Sequence, residues 1–132
     1  MGMPPHHDSP GTSIERAEIG AGTVVVSVTG ELDLGAAPAL KWALNDEVRA
    51  GAAHVVLDLA ETTFLDSTAI SVLVVIGRAL QGGRRLSLVA LQPQVRATFE
   101  LTGLDSAFPT FSSVDEAVAD FARSAPPQAQ SG

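Results

Sequence analysis

The sequence predicts a single α/β domain with a mixed β-sheet and helices mainly on one face, in the order ββαβαβα(β)α. Three observations carry this. Segments that alternate apolar and polar residues, such as Thr23–Thr29, stand beside segments with apolar residues at helical spacing, such as Leu40, Leu44 and Val48. The β-branched run His54–Leu59 reads as a buried central strand. Between that run and the next one at Leu86–Leu91 lie enough residues for the crossover that a parallel pair requires.

Each element has a local reason. Residues 1–12 and 124–132 are rich in Pro, Ser, Gly, Gln and Ala, the composition of disordered tails, which leaves 13–123 for the domain. Ile14–Ile19 and Thr23–Thr29 flank the turn Gly20-Ala21-Gly22 and read as a hairpin. In its second strand Val24, Val26 and Val28 face one way, Ser27 and Thr29 the other. Gly30-Glu31-Leu32-Asp33 reads as a loop. A helix is expected from about Pro38, whose fixed φ suits a first turn, to Gly51.

Residues 69–81 pose a conflict. Ile70-Ser71-Val72-Leu73-Val74-Val75-Ile76 has strand propensity. Yet the apolar run continues to a Gly82-Gly83 stop, too long for an average strand, and the crossover has to be made there. A helix over 69–81, unusually apolar because it packs on the sheet, meets both constraints. Val95–Thr102 gives a shorter helix after Pro93, closed by Gly103, and Thr110–Phe111 reads as a short strand. Ser113-x-x-Glu116 is a capping box for a last helix with Val114, Ala117, Val118 and Phe121 at helical spacing.

Composition narrows the function. There are no cysteines, which rules out disulfides and thiol nucleophiles and makes a reducing cytoplasm the expected compartment. No stretch approaches the roughly 18 uninterrupted apolar residues of a membrane span. The opening MGMPPHHDSPGTS lacks the basic-then-apolar layout of a signal peptide, so direct membrane insertion is not expected. Eight Lys and Arg against fifteen Asp and Glu give a formal charge of −7. That leaves no basic footprint for nucleic acid, whereas a protein partner with a basic face fits.

No catalytic set assembles in the sequence. Gly20-x-Gly22 precedes a strand instead of following one, no P-loop occurs, and no cofactor is expected. His6 and His7 fall in the tail. His54 opens a strand with no second ordered His or Cys nearby, which makes it structural and leaves no metal site. Ser67 or Thr68 would need a base within hydrogen-bond reach to act as a nucleophile. The one ordered histidine sits at the other end of the preceding strand, roughly 20 Å away at about 3.3 Å per residue. Lys41, the sole lysine, has no obvious partner. The carboxylate pairs Glu31 and Asp33, Asp46 and Glu47, and Asp115 and Glu116 read as solvated surface, and Arg84-Arg85 as the flank of a strand. The expectation is a protein that is not an enzyme; a small enzyme or nucleotide-binding domain of similar topology is the competing class.

Asp66-Ser67-Thr68 lies between two apolar runs, at the end of the sheet where open α/β folds carry function. By itself it is an N-cap, because Asp and Ser side chains accept hydrogen bonds from the free N–H groups of a helix start. With the strand and helix pattern around them, however, two stretches resemble the STAS domain family: Gly30-Glu31-Leu32-Asp33-Leu34 and Phe64-Leu65-Asp66-Ser67-Thr68-Ala69-Ile70-Ser71-Val72-Leu73. Within that family the resemblance is to the bacterial anti-sigma-factor antagonists (anti-anti-sigma factors), over about residues 14–122. Ala69 stands where the family pattern, Asp-Ser-Ser-Gly or Asp-Ser-Thr-Gly, has glycine.

The resemblance implies partner switching in the regulation of transcription. An unmodified antagonist binds an anti-sigma factor that is itself a serine/threonine kinase, frees the sigma factor, and is switched off by phosphorylation until a phosphatase resets it. The implied phosphoacceptor is Thr68, with Ser67 as the alternative. The implied partner-binding residues are Glu31, Asp33, Asp66, Ser67, Thr68, Ala69, Ser71 and Val72, joined by Val74 or Val75 where one flank of the helix stays uncovered. Domains of this family also serve as subunits of lipid-transport ATPase assemblies and of stress-signalling complexes, which is the alternative reading.

Overall fold

A computed structural model of the chain describes residues 7–9, 11–20 and 22–124. In chain order they form β1 (His7–Ser9), β2 (Thr12–Gly20), β3 (Thr23–Leu32), α1 (Ala37–Arg49), β4 (His54–Leu65), α2 (Ser67–Ala79), β5 (Arg85–Ala90), α3 (Pro93–Thr102), α4 (Leu104–Ala107), β6 (Thr110–Phe111) and α5 (Val114–Ser124). The six strands lie in sequential order in one mixed sheet. β1, β2 and β3 are antiparallel neighbours, while β3, β4, β5 and β6 run parallel. The α/β class and the expected order hold, with β1 and α4 added.

Strand periodicity sorts the core into two layers. Val24, Val26 and Val28 of β3, Val55, Leu57 and Leu59 of β4, and Leu86, Leu88 and Ala90 of β5 line one face. Against them pack Leu40 and Leu44 of α1, Leu73 and Ile76 of α2, and Val95 and Phe99 of α3. The alternate residues Val25, Val56 and Val89 line the other face under Ala117 of α5, with Phe111 and Val114 at the margin. Helices cover both faces of β4 and β5, which is why those strands read as nearly continuous apolar runs.

The segment with strand propensity is helical, and begins and ends slightly earlier than expected, at Ser67 and Ala79. Gly77 within it is explained by Phe108: a Cβ at position 77 would overlap the edge of that ring. The capping box of α5 forms, with the Glu116 N–H donating to Ser113 Oγ (3.1 Å) and the Ser112 N–H donating to Glu116 Oε1 (3.0 Å).

Several boundaries differ from the expectation, each for a backbone reason. Residues 1–12 are not all tail. His7–Ser9 pair with Thr12–Ile14, because the outer edge of β2 offers hydrogen-bond partners to any nearby extended segment. Thr12 is buried and donates its hydroxyl to the Glu31 carbonyl. Residues 1–6 and 125–132 lie outside the described residues, so the rest of both expected tails falls there. Gly30–Leu32 is strand, not loop: β3 continues beside a longer β4, with Glu31 opposite Phe64 and Leu32 opposite Leu65. Gly30 makes this path possible, with φ of 103° and its α-carbon so close to the Gly11 carbonyl that no side chain fits. Glu47, expected as surface, is 5% exposed and takes Arg16 in a two-pronged ion pair from β2 to α1 (2.5 and 3.2 Å).

Candidate functional site

The site begins where β3 and β4 end side by side. The Asp66 N–H donates to the Leu32 carbonyl (3.1 Å), so the β3–α1 and β4–α2 connections leave the sheet from one point. On the first connection, Asp33 begins the turn that leads into α1. Its carbonyl accepts from the N–H groups of Ala36 and Ala37 (3.0 and 2.9 Å), and its Oδ1 also accepts from Ala36 (3.1 Å). On the second, Asp66 is extended (φ −101°, ψ 179°) and its Oδ1 accepts from the N–H groups of Thr68 (3.0 Å) and Ala69 (3.1 Å). It is a helix N-cap that satisfies two of the free donors of α2.

Ser67 and Thr68 therefore occupy the first two positions of α2, Ser67 exposed and Thr68 half-buried. Ser71 commits its hydroxyl to the Ser67 carbonyl (3.0 Å), while among the described residues no hydrogen bond engages the hydroxyls of Ser67 or Thr68. Beside Thr68 an open groove of about 410 Å³ runs between α1 and α2. Leu34, Ala37, Pro38 and Lys41 form one wall; Thr68, Ser71, Val72 and Val75 form the other. Leu34 is 70% exposed and Val75 53%, so the groove presents bare apolar surface. Among the described residues Lys41 is the only charged one that lines it.

A family model described as the STAS domain matches residues 16–117 of this chain. The chain belongs to the STAS domain family. It is 31% identical over 97 residues to the anti-sigma-F factor antagonist RsfB of Mycobacterium tuberculosis, a match that covers 74% of this chain and 80% of that one. A crystal structure of an anti-sigma factor antagonist from Mycobacterium paratuberculosis is similar at 33% identity and a TM-score of 0.78, over 83% of this chain and 93% of that one. The Bacillus cell fate determinant SpoIIAA in its phosphorylated form shares the fold, with a TM-score of 0.65 at 22% identity over 81% and 97% of the two chains. The unphosphorylated form of SpoIIAA, an anti-sigma factor antagonist by its description, also has a TM-score of 0.65, at 20% identity over 83% and 97%.

In this STAS domain most of the residues singled out from the sequence lie along one edge. Asp33, Asp66, Ser67, Thr68, Ser71 and Val72 gather around the groove and the joined ends of β3 and β4. Glu31 sits on the far side of that joint, in a separate depression with Thr63, Phe64 and Gln94. Ala69 is a correction: it is fully buried in the core beside Leu73 and Ile76, so its side chain offers no contact to a partner. The inward stripe of α2 explains this, since residues four apart share a face. Val72 is 8% exposed and contributes a groove wall but little free surface. Of the two later valines, Val75 is exposed, whereas Val74 packs against the core.

Leu34, Pro38 and Lys41 were not assigned to the site from the sequence. Pro38 and Lys41, three apart on α1, form a short helical stripe extended by Leu34 in the turn before it, and Thr68, Ser71, Val72 and Val75 form the matching stripe on α2. The stripes are legible; that they face each other depends on how α1 and α2 pack.

His54 lies at the opposite end of β4 and is structural. It is fully buried, shares a 2.7 Å hydrogen bond between Nε2 and Ser87 Oγ, and stacks on Phe121 with ring centroids 4.2 Å apart. Arg85 lies over the same ring (5.2 Å from its centroid) and pairs with Asp120 (2.8 Å). Burial, aided by the Arg85 charge and opposed by Asp120, pushes the His54 pKa down to about 4. Among the described residues no cluster of three or more His, Cys, Asp or Glu is placed to hold a metal, and no helix is long and apolar enough to cross a membrane.

Proposed function

We propose that this STAS domain is an anti-sigma factor antagonist that docks, through the edge formed by Asp33, Asp66–Thr68 and the α1–α2 groove, onto an anti-sigma factor that is also a serine/threonine kinase. Phosphorylation of Thr68 ends the partnership. The observation that carries this reading is the position of Thr68: second residue of a capped helix, half-exposed, its hydroxyl unengaged among the described residues, at the rim of a bare apolar groove. Kinship with proteins named anti-sigma factor antagonists supports the partner class. The existence of phosphorylated and unphosphorylated SpoIIAA structures of the same fold supports a scaffold that accommodates the modification.

The energetics suit a switch that resides in the interface. A phosphate brings about −1.5 to −2 charges at pH 7. In the first turn of a helix the dipole favours an anion by roughly 0.3–1 kcal/mol, so the fold accepts it. Binding does not, because like charges or a desolvated phosphate within an interface cost several kcal/mol. A 100-fold loss of affinity requires only about 2.7 kcal/mol.

The test is to incubate the protein with ATP and the anti-sigma factor kinases of its host, then map phosphate by mass spectrometry and titrate the complex calorimetrically. Phosphate is expected on Thr68. Thr68→Ala is expected to bind as tightly as the native chain, and Thr68→Glu at least about 100-fold more weakly. Phosphate absent from both Thr68 and Ser67, with no complex formed, overturns the reading.

A further inference from the structure

We propose that Lys41 is a built-in counter-ion for phosphorylated Thr68: its ammonium group moves onto the phosphate across the mouth of the α1–α2 groove, and its stem covers the apolar surface beneath. This rests on the reading of Thr68 as the phosphoacceptor and adds a second consequence of the modification, closure of the groove.

Three observations converge. Lys41 and Thr68 line opposite walls of the same groove, and among the described residues no other charged one lines it. Two of the amides that would receive an anion at this helix start are already taken, since Asp66 Oδ1 accepts from both Thr68 and Ala69. A phosphate on Thr68 that folded back onto the helix end would have to compete with Asp66 for these amides. The Asp66 carboxylate repels it from that side, and the groove is the open direction. Finally, the other cations are occupied or stand at the far ends of the two helices: Arg49 is in the last turn of α1, Arg78 is in the last turn of α2, and Arg123 pairs with Asp120. Arg16 pairs with Glu47, Arg84 with the carbonyls of Val48 and Ala52, Arg85 with Asp120, and Arg96 with the Ala90 carbonyl and Ser112. Lys41 makes no ion pair among the described residues.

A lysine stem lies comfortably on apolar surface while its head stays wet. Drawn toward Thr68, it would cover part of what Leu34 and Val75 leave exposed. Phosphorylation would thus reach a docking partner as a charge and also as the loss of an apolar foothold.

The experiment bypasses any kinase. Phosphothreonine is installed at position 68 by chemical ligation, and its second ionisation is followed by ³¹P NMR titration in the native background, in Lys41→Gln and in Lys41→Arg. Lys41 is an exposed residue, and glutamine keeps most of the stem, so the fold is preserved. The helix dipole and Asp66 act equally in all three chains, so the difference isolates residue 41. The phosphate is expected to titrate lower in the native and Lys41→Arg chains than in Lys41→Gln by roughly half a pH unit, a threefold change in proton affinity, and the difference should shrink in about 1 M salt. Phosphoserine installed at position 67, which does not line the groove, is expected to be insensitive to residue 41. Titration at 68 that is unchanged by Lys41→Gln overturns the proposal, as does an equal response at 67. Either result leaves the assignment of Thr68 as kinase substrate standing, because that assignment is decided by enzymatic phosphorylation alone.

Discussion

His54 illustrates how a single buried residue ties stability to pH. An unfolded histidine titrates near 6.5, whereas in the fold His54 titrates at about 4, so the unfolded chain binds the proton better. Its contribution is complete above pH 6.5 and is lost as pH falls from there to about 4, to a total of about 3 kcal/mol. Urea unfolding at pH 7 and at pH 4.5 should reveal the drop, and His54→Gln should flatten it in that window; an unchanged slope in the variant would contradict the assignment. The sequence already marked His54 as structural, but not its partners Ser87 and Phe121, which only the sheet register and the seat of α5 bring together. At the other end of β4 the residue-level reading went further. The cap at Asp66 and the accessible hydroxyls beside it follow from the residue types and the apolar runs on either side. Ala69 did not follow, because its inward phase is evident only once the helix is known to begin at Ser67.

Among the elements, α2 was the hardest to read, since its own residues favour a strand and the outcome was decided by its neighbours. A parallel β4–β5 pair needs a crossover, and this segment is the chain available to make it. Gly77 records the same tertiary priority. Alanine in place of a mid-helix glycine ordinarily gains up to about 1 kcal/mol. Here the new methyl group meets the Phe108 ring, which packs against the core, so Gly77→Ala is expected to cost roughly 1 kcal/mol instead. In a Phe108→Ala background the same substitution should become stabilising. Chemical denaturation of the four chains forms a double-mutant cycle, and additivity within about 0.3–0.5 kcal/mol would exclude the clash. What no element reveals alone is its rotation against the next. The stripes on α1 and α2 are visible in the sequence, yet the groove between them is a property of the pair, which is why the place of Lys41 opposite Thr68 is evident only once the helices are packed.

For the molecule as a whole, the sequence carried the class, the order of the main elements and the parallel pairing of β4 with β5. It missed β1 and the extension of β3 along β4, which depend on a neighbour's free backbone groups and not on their own pattern, and it missed α4, a single turn of four residues too short to show a period. The site sits on the end of a sheet packed on both faces, and Thr68 is at the surface of that body. Phosphorylation is therefore expected to leave the fold intact. Chains with threonine or phosphothreonine at position 68 should have superimposable far-ultraviolet circular dichroism and melting temperatures within about 5 °C, since a stability change under about 1 kcal/mol moves a domain of this size no further. A large loss of cooperativity on modification would argue for an unfolding switch in place of an interfacial one.

The hydrogen bond from Asp66 to the Leu32 carbonyl has a consequence for how such a chain can vary. It stitches two connections far apart in sequence at a single rung, so an inserted residue in either one would shift both helix starts out of alignment. Growth in length is affordable at the opposite rim, where Gly51 and the Gly82-Gly83 turn reverse the chain in solvent. Homologues should accordingly keep strict spacing on the rim that holds Thr68 and accumulate their insertions on the other.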